Sequence, residues 1–358
     1  MISRQFLRTV LAVEVVIAVI ALASVAVHAL WLWRRQHADR PRLDRARAAL
    51  AEALTAAPGD DGVWSDRMAE LGRLHRRVQR RVVQQLAVAV TGTEGRGAGD
   101  AAEELGLVAA ARRRCRSRRW WRRLLGAHEL NVYGRGDDVL PRLFDDPHPA
   151  VRAQVIEWAG DTRREALAPR LVSAMQDPAA ICRNTAADSI LRAGAPLVDA
   201  LTREVSARSG QEQADLLAVL ARRPDPRYRD VSLAAVTGDL PALRAAGAGV
   251  LGGVGGPEAA GALRSLLADT DAAVRAAAAD GLRRLEHQAA APDIAALLRD
   301  PSFDVRRAAG TALAGLGPVG ILLLRHYLDD ADPFAADMAR QSLDILALRA
   351  SGPRTPRT

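Results

Sequence analysis

Lysine does not occur in this chain of 358 residues, so arginine supplies all 50 basic side chains. Cysteine and aromatic residues are also scarce, with two cysteines and 4% Phe, Trp and Tyr. Two cysteines exclude a disulfide framework, and we expect Cys115 and Cys182 to be small apolar core residues in a reducing compartment. A sequence that is 49% hydrophobic with so few aromatic rings favours a helical stack over a β-sandwich.

The usual sequence signals of chemistry are missing as well. No two of the seven histidines are three or four residues apart, which removes the easiest helical metal site. The stretch Gly247–Gly252 matches the dinucleotide pattern G-x-G-x-x-G, but it follows a helical pattern and not a strand. We interpret the match as coincidental, because such glycines also suit a helix that packs closely against its neighbours. We predict no catalytic residues, no cofactor, no metal and therefore no enzyme.

A recurring turn is the strongest pattern in the chain. It starts with Asp146-Pro147 and ends with Val151-Arg152, and an alanine-rich helical pattern follows. The closing arginine returns at spacings of 31, 61, 31 and 31 residues, so the period is 31 with one degenerate unit. The recurring arginines are Arg152, Arg183, Arg244, Arg275 and Arg306.

Each period holds two helices. Apolar residues before the turn recur at helical spacing, as in Leu140, Leu143 and Phe144, and a second apolar stripe follows the turn. The aspartate of each Asp-Pro pair is predicted to be the N-cap of the second helix, with the proline as its first residue. The predicted caps are Asp146, Asp177, Asp300 and Asp332. Because one pair cannot bury both its faces, the pairs are expected to stack.

This pattern resembles the short bacterial HEAT-like repeats of the phycobilisome-lyase type, in which Asp-Pro is followed by Val-Arg and an alanine-rich second helix. The resemblance covers residues 137–348, or about seven units, and implies an all-α fold, a right-handed α-solenoid. The unit near Thr202 to Arg223 lacks both signatures, and the last unit has Asp337 at the arginine position. Proteins of this repeat type include enzymes that attach bilins, and metal-binding HEAT hydroxylases have several His-Glu pairs in facing repeats. This chain matches no catalytic pattern and has a single such pair, His128-Glu129.

The recurring arginines have two interpretations. Each could pair with an aspartate of its own turn or the adjacent turn, which would form a charge ladder that fixes the spacing of the repeats. Alternatively, they could form an exposed row that contacts an acidic partner.

The start of the chain is basic and begins with a membrane signal. Residues 1–125 contain 23 arginines against 12 acidic residues, and residues 9–33 are almost entirely apolar and long enough to cross a bilayer. Residues 1–8 form a short tail before this segment. The arginines after Trp33 outnumber those before residue 9, which predicts that the following domain is cytoplasmic. A cleaved signal peptide is the alternative, and Glu14 is expected near the interface.

The regions between the membrane segment and the repeats, and after them, are predicted from composition. Residues 34–98 are predicted to form two amphipathic helices, Arg40–Ala56 and Val63–Val90, and a Gly-rich linker. Residues 99–136 are predicted to be basic entry helices that cap the solenoid. Residues 349–358 are predicted to be a disordered tail.

The densest charge is the stretch Arg112–Arg123, with eight arginines and two tryptophans. One interpretation is a structural cap, in which Ser117 starts a helix whose tryptophans close the end of the stack. The others are contact with anionic lipid headgroups, which the nearby membrane segment favours, and binding to nucleic-acid phosphates. The residues concerned are Arg112, Arg113, Arg114, Arg116, Arg118, Arg119, Trp120, Trp121, Arg122 and Arg123.

The sequence therefore predicts a single-span protein of the inner membrane whose cytoplasmic repeats bind a partner protein. Its expected role is that of a scaffold or accessory subunit, for example of an integral membrane enzyme, because solenoids present extended binding surfaces. The alternatives are a lyase-like enzyme that uses the solenoid groove, and lipid or nucleic-acid binding through the arginine cluster.

Overall fold

The computed structural model describes residues 41, 43–54, 61–89, 97–162, 164–193 and 195–351. Every regular element in these ranges is helical, which confirms the all-α prediction. The predicted membrane segment, residues 9–33, lies outside the described ranges. Within those ranges, no helix combines the length and the apolar character that a bilayer crossing needs. The chain divides into two compact units, with the boundary between Leu143 and Phe144.

The first unit is built from short helices. They are α1 (residues 43–54), α2 (Asp61–Gly72), α3 (Arg76–Ala89), α4 (Ala98–Glu104), α5 (Leu107–Cys115) and α6 (Trp120–Tyr133). A 3-10 turn at Asp137–Val139 leads into α7 (Leu140–Phe144), which contains the unit boundary.

The prediction of one helix over Val63–Val90 is wrong, because the chain breaks at residues 73–75 between α2 and α3. Gly72 ends α2, and the side chain of Gln79 stabilises the break. Its Nε2 donates to the carbonyl oxygens of Leu71 (2.9 Å) and Gly72 (3.2 Å). Both helices still have an apolar face in the core, where Met68, Leu71, Val78 and Val82 are buried.

Helices α5 and α6 pack closely at Gly126. A Cβ at this position would lie 2.8 Å from both the carbonyl oxygen of Ala111 and Sγ of Cys115. Cys115 is a buried free cysteine, and burial together with the Glu129 charge raises the pKa of its thiol to about 11. A thiol that stays protonated at neutral pH is a poor nucleophile, so this cysteine acts as a core residue.

The second unit is a solenoid of stacked helix pairs. Helix α8 (Pro149–Thr162) is followed by six pairs, in most of which a short first helix precedes a longer second one. The pairs are α9 (Ala168–Ser173) with α10 (Ala180–Ala193), α11 (Ala195–Ser206) with α12 (Gly210–Leu220), α13 (Arg229–Ala235) with α14 (Pro241–Val254), α15 (Pro257–Leu266) with α16 (Ala272–Arg284), α17 (Ala291–Ala296) with α18 (Phe303–Gly315), and α19 (Pro318–His326) with α20 (Pro333–Ser351). Residues 349–351, predicted to belong to the tail, are thus the end of α20.

The repeats stack through their second helices, from α8 to α20 in sequence order. The residue before each recurring arginine is buried in this stack, which explains the apolar half of the Val-Arg pattern. These residues are Val151, Cys182, Leu243, Val274 and Val305.

Two irregular stretches of sequence keep the helical architecture. The degenerate unit near Thr202 to Arg223 still forms the pair α11 and α12, and Gly210 starts α12 with a φ of 63°, which glycine adopts without strain. The stretch Gly247–Gly252 lies inside α14, where a Cβ on Gly252 would lie 2.5 Å from the Cα of Gly281 in α16. These glycines therefore permit close helix packing.

Candidate functional site

Recurring arginines join neighbouring repeats in the second unit. Arg275 donates from Nε to Oδ2 (2.7 Å) and from Nη2 to Oδ1 (2.9 Å) of Asp300 in the next turn. Its Nη1 donates to the carbonyl oxygen of Asp269 in its own turn (2.8 Å). The same geometry recurs twice, so we define the arginine ladder as the pairs Arg152–Asp177, Arg244–Asp269 and Arg275–Asp300.

The ladder pairs are strong because they are bidentate and shielded from water. The side chains of Arg275 and Asp300 are 13% and 5% exposed. Each arginine holds its own turn through Nη1 and the next turn through the carboxylate, so the pair sets the distance between the two repeats. For these three arginines the structure favours the ladder interpretation over the exposed row.

The predicted N-cap role of Asp146, Asp177 and Asp300 is wrong. The helices that follow begin three residues later, at Pro149, Ala180 and Phe303. Each carboxylate instead accepts a hydrogen bond from the backbone N–H two residues on, at 2.8 to 2.9 Å, and so closes a turn before the helix.

The reason is visible at Asp300, whose Oδ1 accepts from both the Ser302 N–H (2.8 Å) and Arg275 (2.9 Å). A carboxylate that faces the preceding repeat cannot also cover the first turn of its own helix. Asp332 does occupy the cap position, since α20 begins at Pro333 and Asp332 accepts from the Phe334 N–H (2.9 Å).

The ladder perturbs its carboxylates. Hydrogen bonds from Arg152 and Arg244 hold the pKa values of Asp177 and Asp269 below their usual range. At Asp300, burial pushes the pKa upward, but the hydrogen bonds from Arg275 and the Ser302 N–H outweigh it and the pKa is again lowered. The ladder aspartates therefore stay ionised at neutral pH.

Arg183 and Arg306 are the open ends of the ladder. Their Nη1 atoms hold the turn as in the other repeats, with 2.8 Å to the carbonyl oxygens of Asp177 and Asp300 respectively. Within the described ranges, neither guanidinium forms an ion pair with a carboxylate. The sequence distinguishes the paired arginines from the unpaired ones. The residue 25 positions after each ladder arginine is aspartate, whereas it is Arg208 after Arg183 and Ala331 after Arg306.

Arg306 lies beside two exposed phenylalanines. Its Cζ is 5.9 Å from the ring centroid of Phe303 and 5.0 Å from that of Phe334, whose side chains are 55% and 63% exposed. Its Nε is buried and has no hydrogen-bond partner within the described part of the chain. Nε belongs to the edge that binds aspartate in the ladder.

An aspartate is present in the next turn, but another arginine binds it. Asp330 accepts from the Asp332 N–H (2.9 Å), as Asp300 does from Ser302, so it occupies the equivalent position. Arg299 donates to it from Nε (3.1 Å) and Nη2 (2.5 Å), and these hydrogen bonds lower the pKa of Asp330. In this register Ala336, and not the predicted Asp337, stands at the arginine position, because the last turn comes 30 residues after the preceding one.

Exposed apolar side chains concentrate in the last repeats. Of the eleven large apolar residues that are exposed in the described ranges, six lie between residues 303 and 348. They are Phe303, Val319, Leu322, Phe334, Ile345 and Leu348. Ile345 also lines an open groove with Arg283, Thr311 and Arg349. Such a concentration is typical of an interaction surface.

The cluster at Arg112–Arg123 comprises the end of α5, the turn that follows it and the start of α6. Trp120 and Trp121, at the start of α6, are 39% and 50% exposed, and Leu125 one turn later is 41% exposed. Both tryptophans therefore lie at the surface and not in the core of the first unit. Ser117 also does not cap α6 directly, since Arg119 is the N-cap and Ser117 accepts from its N–H (3.3 Å).

The eight arginines of the cluster fall into two groups. Arg112 pairs with Asp138 (3.0 Å), Arg114 pairs with Glu129, and Arg123 donates to the carbonyl oxygens of the turn. The other five are exposed, and within the described ranges none of them pairs with a carboxylate. These five are Arg113, Arg116, Arg118, Arg119 and Arg122.

Glu129 is a structural residue that the sequence patterns missed. Its side chain is 1% exposed, and its two oxygens accept from Arg80 of α3 (2.9 Å) and Arg114 of α5. The neighbouring His128 is exposed, so the single His-Glu pair of the sequence points in two directions. In the described ranges no three His, Cys, Asp or Glu side chains come together as a metal site.

Comparison with known proteins supports the repeat assignment. The HEAT repeats family matches residues 262–344, which lie within the second unit. No curated protein matches the sequence. Similar solved structures include an engineered protein (18% identity, 86% of this chain and 96% of that chain, TM-score 0.36) and human deoxyhypusine hydroxylase in complex with glycerol (18%, 79% and 96%, 0.31). Importin beta is similar over 88% of this chain and 50% of its own (14% identity, TM-score 0.41).

Proposed function

We propose that this chain is a non-catalytic scaffold or accessory subunit that binds a partner protein at the cytoplasmic face of a membrane. The HEAT repeats are the binding unit, and residues 9–33 are the anchor. The observation that carries the proposal is the open end of the ladder at Arg306, where a guanidinium edge built to hold a carboxylate lies beside exposed phenylalanine rings.

The chemistry of this end defines the segment that it would bind. Arg306 keeps the backbone contacts that orient its equivalent Arg275, and we expect a carboxylate of the partner to pair with its guanidinium. Phe303 and Phe334 add apolar area beside it. Buried aromatic and arginine side chains dominate protein interfaces. We therefore expect a partner segment with an acidic residue next to an apolar one.

The main test is crosslinked affinity capture from native membranes through a C-terminal tag. The full chain should enrich one membrane protein, and a version without residues 1–35 should lose it or capture less. Arg306→Gln and Phe334→Ala should each reduce its recovery about tenfold, because the contact loses a charged or an aromatic anchor. The matched control is Arg340→Gln, which removes an exposed arginine of α20 that pairs with Asp337.

Two results would contradict parts of this proposal. If the captured membrane protein is recovered equally with Arg306→Gln and Arg340→Gln, Arg306 does not lie in the interface. A chromophore, a metal or another small molecule found by mass spectrometry in the purified chain would favour the lyase-like alternative, because a scaffold is expected to bind none of these.

A further inference from the structure

We propose that the turn between α5 and α6 binds an anionic lipid bilayer, with Trp121 and Leu125 in the headgroup region and the surrounding arginines on lipid phosphates. This site is separate from the open end of the ladder, and it does not depend on the proposed protein partner. We define the tryptophan turn as residues 113–125.

Most of the positive charge of the tryptophan turn is not neutralised by carboxylates of the described residues. No acidic residue occurs between Glu104 and Glu129 in the sequence. Three of the eight arginines in this stretch make internal contacts, and the other five are exposed without a carboxylate partner among the described residues. Basic side chains near a membrane are attracted by its negative surface potential, and each contributes about fivefold in binding.

Apolar side chains lie among these arginines. Trp121 and Leu125 are one helical turn apart on α6 and share a face, and both are at least two-fifths exposed, at 50% and 41%. Trp120 packs edge-on against Trp121, with 6.2 Å between the ring centroids. Indole rings prefer the bilayer interface, where the apolar ring and the polar N–H are both accommodated. An exposed leucine beside them gains from contact with acyl chains.

Nucleic acid is the rival ligand for the same charges, and the geometry disfavours it. Single-stranded nucleic acid binds by stacking bases on open aromatic faces. The Cζ of Arg119 lies 5.4 Å from the Trp121 ring centroid, and the Trp120 ring meets the Trp121 ring at 90°. The Trp121 ring is thus already in contact with two side chains, which leaves less open ring surface on which a base can stack. Leu125 offers no stacking surface. The apolar segment 9–33 of the same chain also favours a membrane as the occupant.

In the test, the purified full chain is mixed either with vesicles of phosphatidylcholine alone or with vesicles that also contain phosphatidylglycerol. The readout is hydrogen exchange of peptides covering residues 113–125, since membrane attachment elsewhere would not protect this turn. We expect about tenfold slower exchange with the anionic vesicles than with the neutral ones, and loss of this difference in high salt.

Matched variants decide whether the turn itself makes the contact. The double variant Arg118→Gln with Arg122→Gln, and separately Trp121→Ala with Leu125→Ala, should remove most of the protection. The control Arg307→Gln with Arg340→Gln removes the same charge from exposed, ion-paired sites of the second unit and should leave it unchanged. Thermal melts verify that each variant is folded.

Equal exchange with both kinds of vesicle would overturn the proposal, as would protection that survives in both double variants. Protection by a single-stranded oligonucleotide but not by anionic vesicles would assign the turn to nucleic acid instead. None of these results affects the capture experiment at Arg306, so the two proposals fail separately.

Discussion

Arg275 and Arg306 occupy the same position in consecutive repeats, yet they do different work. Both hold the carbonyl oxygen of their own turn at 2.8 Å. Arg275 also binds Asp300, whereas Arg306 faces a turn whose aspartate is bound by Arg299. At the scale of single residues, competition for one carboxylate thus separates an arginine that joins two repeats from one that has no carboxylate partner among the described residues.

The first prediction concerns the ladder. Arg275→Gln should lower the free energy of unfolding by about 2 kcal/mol, because it removes charge-assisted hydrogen bonds from a poorly exposed aspartate. Arg340→Gln, which breaks an exposed pair, should change it by less than about 0.5 kcal/mol. Urea unfolding of the full chain followed by circular dichroism measures both. Equal effects would mean that the ladder does not stabilise the repeats.

A second prediction concerns Glu129. Glu129→Gln should destabilise the first unit by about 3 kcal/mol, because two arginines lose the buried charge that neutralises them. Glu103→Gln is the control, since Glu103 is 57% exposed and pairs with Arg135 at 3.4 Å. Hydrogen exchange of α3, α5 and α6 would locate the loss. Unchanged exchange there would show that Glu129 does not hold these helices together.

At the scale of helices, glycine decides how closely α14 and α16 approach. Gly252→Ala should cost about 2 kcal/mol, because the added Cβ would lie 2.5 Å from the backbone of Gly281. Gly261→Ala, in α15, should instead stabilise the chain by about 0.5 kcal/mol, since a Cβ there has nothing within 4 Å. Thermal denaturation compares the two, and a destabilising Gly261→Ala would contradict the packing argument.

At the same scale, some features of the helices could be predicted from the sequence and others could not. The apolar spacing predicted the helix pairs, since these follow from short-range periodicity. It did not predict the break at residues 73–75, which Gln79 stabilises through contacts with the preceding helix. It also placed Asp146, Asp177 and Asp300 as caps. Their actual position depends on the arginine of the preceding repeat, which local patterns do not contain.

At the scale of the whole molecule, the ladder links stability to pH. The pKa values of Asp177, Asp269 and Asp300 are lowered in the folded state. Their contribution is therefore complete above the unfolded pKa of about 3.9 and is lost as the pH falls through the lower folded values. We expect the melting temperature of the repeats to fall below about pH 4 and to change little between about pH 5 and 7.

A ladder variant separates this effect from general acid denaturation. Arg244→Gln removes the main cause of the lowered pKa of Asp269, so its melting temperature should fall less steeply below about pH 4 than that of the unmodified chain. The measurement is thermal denaturation over an acid pH series. Parallel curves for the two chains would show that the ladder does not contribute to the acid transition.

By itself, the sequence determined the all-α class, the period of 31 and the placement of the helix pairs. These features follow from apolar spacing and turn residues that recur within each short repeat. Only the tertiary structure decided which arginines are paired and which are open, and that Trp120 and Trp121 face solvent. These outcomes depend on which side chains from different repeats or helices lie within hydrogen-bonding distance of one another. Arg299 binds Asp330, for example, and among the described residues no carboxylate pairs with Arg306.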